Sequence, residues 1–212
     1  MADVSFENRV VIVTGAGNGL GKAYALELGK RGAKVVVNDL GGAVDGSGSG
    51  NSPADDVVNE IIENGGEAVA NYDSVATKDG GESIVQTAVD SFGTVDAVIN
   101  NAGILRDKSF ANMSEEEFSL IIEVHLKGTY FVTQPAFKIM KENNYGRIVN
   151  VSSPSGLFGN FGQLNYGAAK MGIVGLTNVL AIEGMKYNIK ANAIAPNAAT
   201  RMTETLFGED MS

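Results

Sequence analysis

Six short runs of β-branched residues recur along the chain, and between them lie five longer segments whose apolar residues repeat at helical spacing. The runs are Val10–Thr14, Lys34–Asp39, Glu67–Asp73, Val95–Asn100, Arg147–Ser152 and Lys190–Ala195. The helical segments are about Gly19–Arg31, Ala54–Asn64, Gly80–Phe92, Ser114–Lys141 and Tyr166–Tyr187. A strand that is apolar on both faces must be covered on both, and strand alternating with helix gives parallel strands joined by helical crossovers. The pattern predicts an α/β fold with a parallel sheet, and with the glycine turn and acid described below the expectation is a doubly wound sheet of the Rossmann type, strand order 3-2-1-4-5-6. At 212 residues, with 44% hydrophobic and 19% charged, the chain suits one domain over residues 1–212 with a sizeable core.

The charge balance excludes some partners. With 16 Lys+Arg against 25 Asp+Glu the net charge is -9 and no basic stripe carries interleaved aromatics, so neither nucleic acid nor an anionic membrane surface is expected. The chain has no cysteine, which excludes disulfides, thiolate metal sites and cysteine nucleophiles; no metal is expected. The start, "MADVSFENRVVIV", lacks the basic flank and long apolar run of a signal peptide, and no apolar stretch reaches the roughly 18 residues of a membrane span. These features predict a soluble intracellular protein.

Directly after the first run, Gly15, Gly17, Gly19 and Gly21 stand at every second position, and a helix opens there. Glycine weakens a chain unless something approaches the backbone closely or φ must be positive. The literal G-x-G-x-x-G does not fit, because position 20 is leucine. Gly15-x-x-x-Gly19-x-Gly21 does, and it offers free N–H groups and a positive helix terminus to a pyrophosphate. Eighteen residues beyond Gly21 the second run ends at Asp39, where an acid would bind the adenosine ribose diol. A carboxylate there opposes a 2'-phosphate, so NAD is expected over NADP. The glycine- and serine-rich stretch Gly41–Pro53 follows, either a plain surface loop or a flap beside the ligand.

Tyr166 and Lys170 stand four apart in "NYGAAKMGIVGL", on one face of a helix. A phenol with pKa about 10 exchanges protons poorly at neutral pH, and a nearby ammonium together with an oxidised nicotinamide would lower that value. Tyr166 is then a general acid or base. Thirteen residues upstream, Ser153 in "NVSSPSG" is placed to hydrogen-bond a substrate oxygen.

These motifs together, T-G-x-x-x-G-x-G, "NNAG" at Asn100–Gly103, Ser153 and Tyr166-x-x-x-Lys170, resemble the short-chain dehydrogenase/reductase family over essentially the whole chain. Longer strings such as "VVVNDLGG", "NNAGILRDKSF", "GNFGQLNY" and "IAPNAATRMT" are similar to the (3R)-hydroxyacyl-CoA dehydrogenase domains of the family's peroxisomal multifunctional enzymes and their stand-alone relatives. The resemblance implies an NAD-dependent oxidoreductase that interconverts (3R)-3-hydroxyacyl-CoA and 3-oxoacyl-CoA in fatty-acid β-oxidation. It makes Ser153, Tyr166 and Lys170 catalytic. It assigns Gly15, Asn18, Gly19, Leu20, Gly21, Asp39, Asn101, Ala102 and Gly103 to the cofactor, with Asp73, Ser74 and Val75 beside the adenine and Tyr166 and Lys170 at the nicotinamide ribose. A 3-oxoacyl-acyl-carrier-protein reductase is the alternative enzyme, disfavoured by Asp39; a non-catalytic NAD-binding protein is the alternative from another class.

The sequence departs from the broad family in three places. His125, its only histidine, stands where the broad family has an asparagine that supports a proton relay, and the resemblance to the multifunctional enzymes implies a histidine there; it is a candidate catalytic residue that either holds a water near Lys170 or fills a helix interface. Asn197 replaces a glycine and Arg201 a threonine, with Thr200 and Thr203 nearby. The family usually continues into a seventh strand and a further helix beyond Met202–Ser212, so a C-terminally incomplete domain is expected. Leu157, Phe158 and Phe161 are expected either beside the acyl chain or as core under a loop. Small residues on the Tyr166–Tyr187 helix and the family's four-helix contact predict a homodimer. A peroxisomal location is expected for a part of a eukaryotic multifunctional enzyme, and a cytoplasmic one otherwise.

Overall fold

The structure is a computed structural model and describes residues 4–48, 50 and 52–197. Its sheet has six strands: β1 (Val10–Thr14), β2 (Lys34–Asn38), β3 (Glu67–Asn71), β4 (Ala97–Asn100), β5 (Gly146–Val151) and β6 (Ile189–Ile194). They are parallel and run in the order β3-β2-β1-β4-β5-β6, as the alternating pattern predicts. All five residues of β1 are buried. Val10 and Ile12 join Val36, Val98 and Ile148 in one apolar cluster, and Val11 and Val13 join Val35 and Val37 in the other. Period-two alternation thus feeds two separate cores from one strand.

Helices α3 (Lys78–Phe92) and α5 (Gly128–Glu142) close the first core with Ile84, Val85, Val132 and Met140. Helices α1 (Gly19–Lys30) and α2 (Ser52–Glu63) close the second with Ala25, Val57 and Ile61. α3 and α5 meet closely at Gly81, where a Cβ would stand 2.6 Å from Phe131 O. Pro135 lies inside α5, and its missing N–H leaves that carbonyl without its helical donor.

The single helix expected over Ser114–Lys141 is three pieces: α4 (Glu115–Ile121), a π-helical segment Ile122–Lys127, and α5. The N–H of Gly128 donates to Glu123 O, five residues back, and Thr129 Oγ1 donates to His125 O at 2.8 Å. The wider turn turns His125 inward, where it is 2% exposed. Two further differences concern the segments that carry Ser153 and Tyr166. A short helix α6 (Pro154–Phe158) follows β5, and α7 (Leu164–Gly184) begins before Tyr166. The second and third strands end at Asn38 and Asn71, one and two residues earlier than the runs suggest, so Asp39 and Asp73 stand on the loops beyond them.

Candidate active site

The C-terminal ends of the strands open into one cavity of about 480 Å³. In an open parallel sheet ligands bind there, where the strand order reverses between β1 and β4. At one end Asn18, Gly19 and Leu20 line it, at the start of α1. Asn18 makes no side-chain cap and the first turn has no acidic residue, so the amide end of the helix is unopposed by negative charge. Gly15 and Gly19 have φ of 61° and 54°, and a Cβ on Gly19 would meet nothing within 4 Å. That is a cradle open to an anion. Gly21 does not line the cavity: a Cβ there would strike Gly15 O and Asn101 Nδ2, so it serves by letting α1 sit against the turn.

Asn101 braces the same turn. Its Nδ2 donates to Thr14 O at 3.1 Å and Gly15 O at 3.0 Å, while Thr14 Oγ1 accepts from the N–H groups of Asn101 and Ala102, both at 3.1 Å. Asp39 is held by two backbone donors, Gly17 N–H on Oδ2 and Gly41 N–H on Oδ1, each at 2.7 Å. Each carboxylate oxygen retains a lone pair, enough for the two hydroxyls of a ribose. Asp73 is fixed by Asn71 Nδ2 at 2.9 Å and Ser83 Oγ at 2.7 Å, and Ser74 and Val75 continue that wall. The stretch after Asp39 is a flap rather than a plain surface loop: Gly42, Ala43, Val44 and Gly46 line the cavity. The N–H of Leu105 donates to Val44 O at 3.0 Å and Arg106 Nε to Asp45 O at 2.6 Å, which ties the flap across the groove.

At the other end Ser153, Tyr166, Lys170 and His125 line the same cavity with Ala102 and Gly103. Ser153 caps α6, its Oγ accepting from Ser155 N–H at 3.2 Å. Lys170 is 3% exposed and its Nζ donates to Val151 O at 2.6 Å; burial lowers its pKa to about 7. Burial raises the Tyr166 phenol, hydrogen bonding with Ser153 pulls it down, and the Asp107 charge pushes it up. The protein's own groups therefore leave Tyr166 above its ordinary value; the expected lowering counted an oxidised nicotinamide beside Lys170. Lys170 Nζ stands 5.4 Å from the centre of the Tyr166 ring.

His125 takes the interface position. Its ring packs edge-on against Tyr166 at 5.2 Å, and Nε2 lies 2.8 Å from Ile104 O, which is the interface role. Its Nδ1 is buried with no partner among the described residues, and a Cβ on Gly103 would collide with Cε1. Burial, with the Lys170 charge second, lowers its pKa to about 3, so the ring is neutral. Asn197 lines the cavity. Thr200, Arg201 and Thr203, like Met202–Ser212, lie outside the described residues. Leu157, Phe158 and Phe161 are not core: they are 46%, 86% and 90% exposed. Phe161 instead borders a neighbouring groove with Phe110 and Leu164.

Sequence reasoning missed Asp107, Gln163 and Asn165. Gln163 Nε2 donates to Asp107 Oδ2 at 2.7 Å, and Asn165 Oδ1 accepts from Tyr166 N–H at 2.7 Å. The available signal was two polar residues at the start of a helix, Gln163 and Asn165, with no solvated face to account for them. Among the described residues no cluster of His, Cys, Asp or Glu is placed to hold a metal ion, and no helix is long and apolar enough to cross a membrane.

A family profile described as short chain dehydrogenase matches residues 9–210. The chain is 60% identical over 206 residues to the peroxisomal multifunctional enzyme type 2 of Mus musculus, covering 97% of this chain and 28% of that protein. It is also 60% identical over 200 residues to a short-chain type dehydrogenase/reductase of Mycobacterium tuberculosis, covering 94% of this chain and 70% of that one. A crystal structure of a short chain dehydrogenase from Mycobacterium avium superposes with a TM-score of 0.87 at 51% identity, over 97% of this chain and 73% of that one.

Proposed function

The chain belongs to the short-chain dehydrogenase family, and from that premise we propose that this dehydrogenase is NAD-dependent and oxidises (3R)-3-hydroxyacyl-CoA to 3-oxoacyl-CoA in fatty-acid β-oxidation. The observation that carries the cofactor assignment is Asp39, whose carboxylate is held ready by the N–H groups of Gly17 and Gly41 at one end of the cavity that holds Tyr166 at the other. The open cradle at Gly19 and the unopposed start of α1 fit a pyrophosphate. Asp39 would take the adenosine ribose, Asp73, Ser74 and Val75 would border the adenine, and Tyr166 and Lys170 would take the nicotinamide ribose. Bound there, NAD would supply the hydride acceptor and, oxidised, a positive charge.

The remaining chemistry falls to the protein's side chains. Tyr166 Oη takes the proton of the substrate's 3-hydroxyl, and Ser153 Oγ donates a hydrogen bond to the same oxygen, favouring its negative charge as it develops. A phenol held above its ordinary pKa is kept as the acid, which suits reduction. Oxidation needs the phenolate, so positive charge on Lys170, whose pKa of about 7 places it between its two forms near neutrality, opposes the burial cost. The acyl chain is assigned to the exposed aromatic groove of Phe110 and Phe161 beside Ser155 and Gln163, which border both this groove and the main cavity. The mouse relative's name supports the acyl-CoA reading through the peroxisomal multifunctional enzymes. We place the protein in the peroxisome if it serves in such an enzyme and in the cytoplasm if it stands alone, and we assign it a homodimer.

The test uses the full-length gene product with both 3-hydroxyacyl-CoA epimers and both dinucleotides. The (3R) epimer is expected to be favoured about a hundredfold in kcat/KM. NADH is expected to bind at least about tenfold more tightly than NADPH, with Asp39→Ala narrowing the gap. Preference for the (3S) epimer overturns the substrate; equal dinucleotide affinities in calorimetry overturn the role of Asp39.

A further inference from the structure

We propose that Asp107 and Gln163 form a positioning clamp that holds the Ser153 loop and the Tyr166 end of α7 in register; this deepens the dehydrogenase reading above and rests on it. Gln163 is 4% exposed, and both ends of its amide are engaged. Nε2 donates to Asp107 Oδ2 at 2.7 Å, and Oε1 accepts from Ser155 Oγ at 2.8 Å and Asn160 Nδ2 at 3.1 Å. A carboxylate only accepts, so the orientation of the amide is fixed. Ser155 in turn gives its N–H to Ser153 Oγ. One chain of hydrogen bonds therefore runs from Asp107 through Gln163 and Ser155 to the oxygen that meets the substrate.

The clamp has a backbone counterpart. Lys108 N–H donates to Gly162 O at 2.8 Å, and Asn165 Nδ2 donates to Arg106 O at 3.0 Å while its Oδ1 takes the Tyr166 N–H. The segment leaving β4 is thus the platform on which two catalytic side chains, from two different elements, are set relative to each other. A polar device in a buried place is costly unless every group is paired, and this one pairs both amide atoms. An apolar contact would fill the space as well, but it would not orient a hydroxyl.

Asp107 also contributes its charge. The charged or titratable groups facing Tyr166 are Lys170 from its own helix, His125 from the π segment and Asp107 from the platform. The carboxylate favours the protonated phenol, so the clamp sets geometry and acidity together.

The experiment uses the full-length gene product. Asp107→Asn keeps an oxygen that accepts from Gln163 and removes only the charge. Tyrosinate absorbance, taken as the difference from Tyr166→Phe, should show the Tyr166 titration moved to lower pH in Asp107→Asn. Gln163→Leu should lower kcat about tenfold or more while NAD affinity stays within about twofold. Gln163→Glu should be at least as impaired, because it places two carboxylates face to face. An unmoved Tyr166 titration in Asp107→Asn, or full kcat in Gln163→Leu, overturns the clamp. The titration needs no substrate, so a wild-type protein that turns over no 3-hydroxyacyl-CoA overturns the substrate assignment while the titration still decides the clamp.

Discussion

Lys170 shows what one side chain costs and what it supplies. Its ammonium is 3% exposed with one carbonyl, Val151 O, at 2.6 Å, and burial lowers its pKa from 10.5 to about 7. Between those values the unfolded chain holds the proton and the folded one releases it, so stability rises with pH across that window. Below it both states are protonated and the slope disappears. Urea unfolding of the wild type between about pH 7 and about pH 9 should show this rise, and Lys170→Met should lack it. Equal slopes in the two proteins would mean that Lys170 is not desolvated in the folded state. At this scale the placing of Ser153, Tyr166, Lys170 and Asp39 along one cavity was legible in the sequence, because their spacing is local to a helix or to a strand end. Asp107 and Gln163 were not: they are 56 positions apart, and only the chain's fold brings them together. That burial raises the Tyr166 phenol was not legible either, since burial is not written in a four-residue spacing.

Among the elements, the flap after β2 is the one whose removal separates binding from folding. It is pinched at its base, with Gly50 N–H donating to Leu40 O at 3.0 Å and Gly41 at φ 72° packed directly on the Gly50 carbonyl. A loop whose ends touch leaves its anchors in place when it is shortened. Gly46 lets it lie flat on Ile104, whose Cδ1 would stand 2.8 Å from a Cβ there. Replacing residues 42–48 by a two-residue link should leave the melting temperature within a few degrees and weaken NAD binding by about tenfold, because the cavity loses four of its wall residues. Unchanged affinity in calorimetry would return the flap to an ordinary surface loop. The six strands were legible to within two residues, since buried β-branched runs have few alternatives. The π segment was not, because an extra residue in one turn leaves the apolar period almost unaltered. α6 was missed because five residues are too few to show a period.

At the scale of the whole molecule, α7 carries an apolar face left uncovered by the described residues. Along α7, Leu164, Ala168, Met171, Gly175, Val179 and Ile182 are all exposed, and their spacing of three and four residues lays them in one stripe. Val179 is 54% exposed and Ile182 70%, while a Cβ on Gly175 would meet nothing within 4 Å. The opposite face is committed: Ala169, Lys170, Ile173 and Thr177 are buried, and Gly172 packs on Leu126 of the π segment. Packing on the chain's own sheet therefore accounts for one side of α7 and not for the stripe. A two-fold axis beside the helix would bury the stripe against its own copy, and Gly175 would let the two helices approach closely. The wild type should sediment as a dimer or larger at micromolar concentration, and Val179→Asp with Ile182→Asp should sediment as a monomer with an unchanged circular dichroism spectrum. A monomeric wild type would end the assignment. The same helix carries Tyr166 and Lys170, so a dimer along the stripe would brace those two side chains from behind. The monomeric double variant should then be less active than the dimeric wild type even though neither substituted residue lines the cavity. Full activity in that monomer would separate assembly from catalysis.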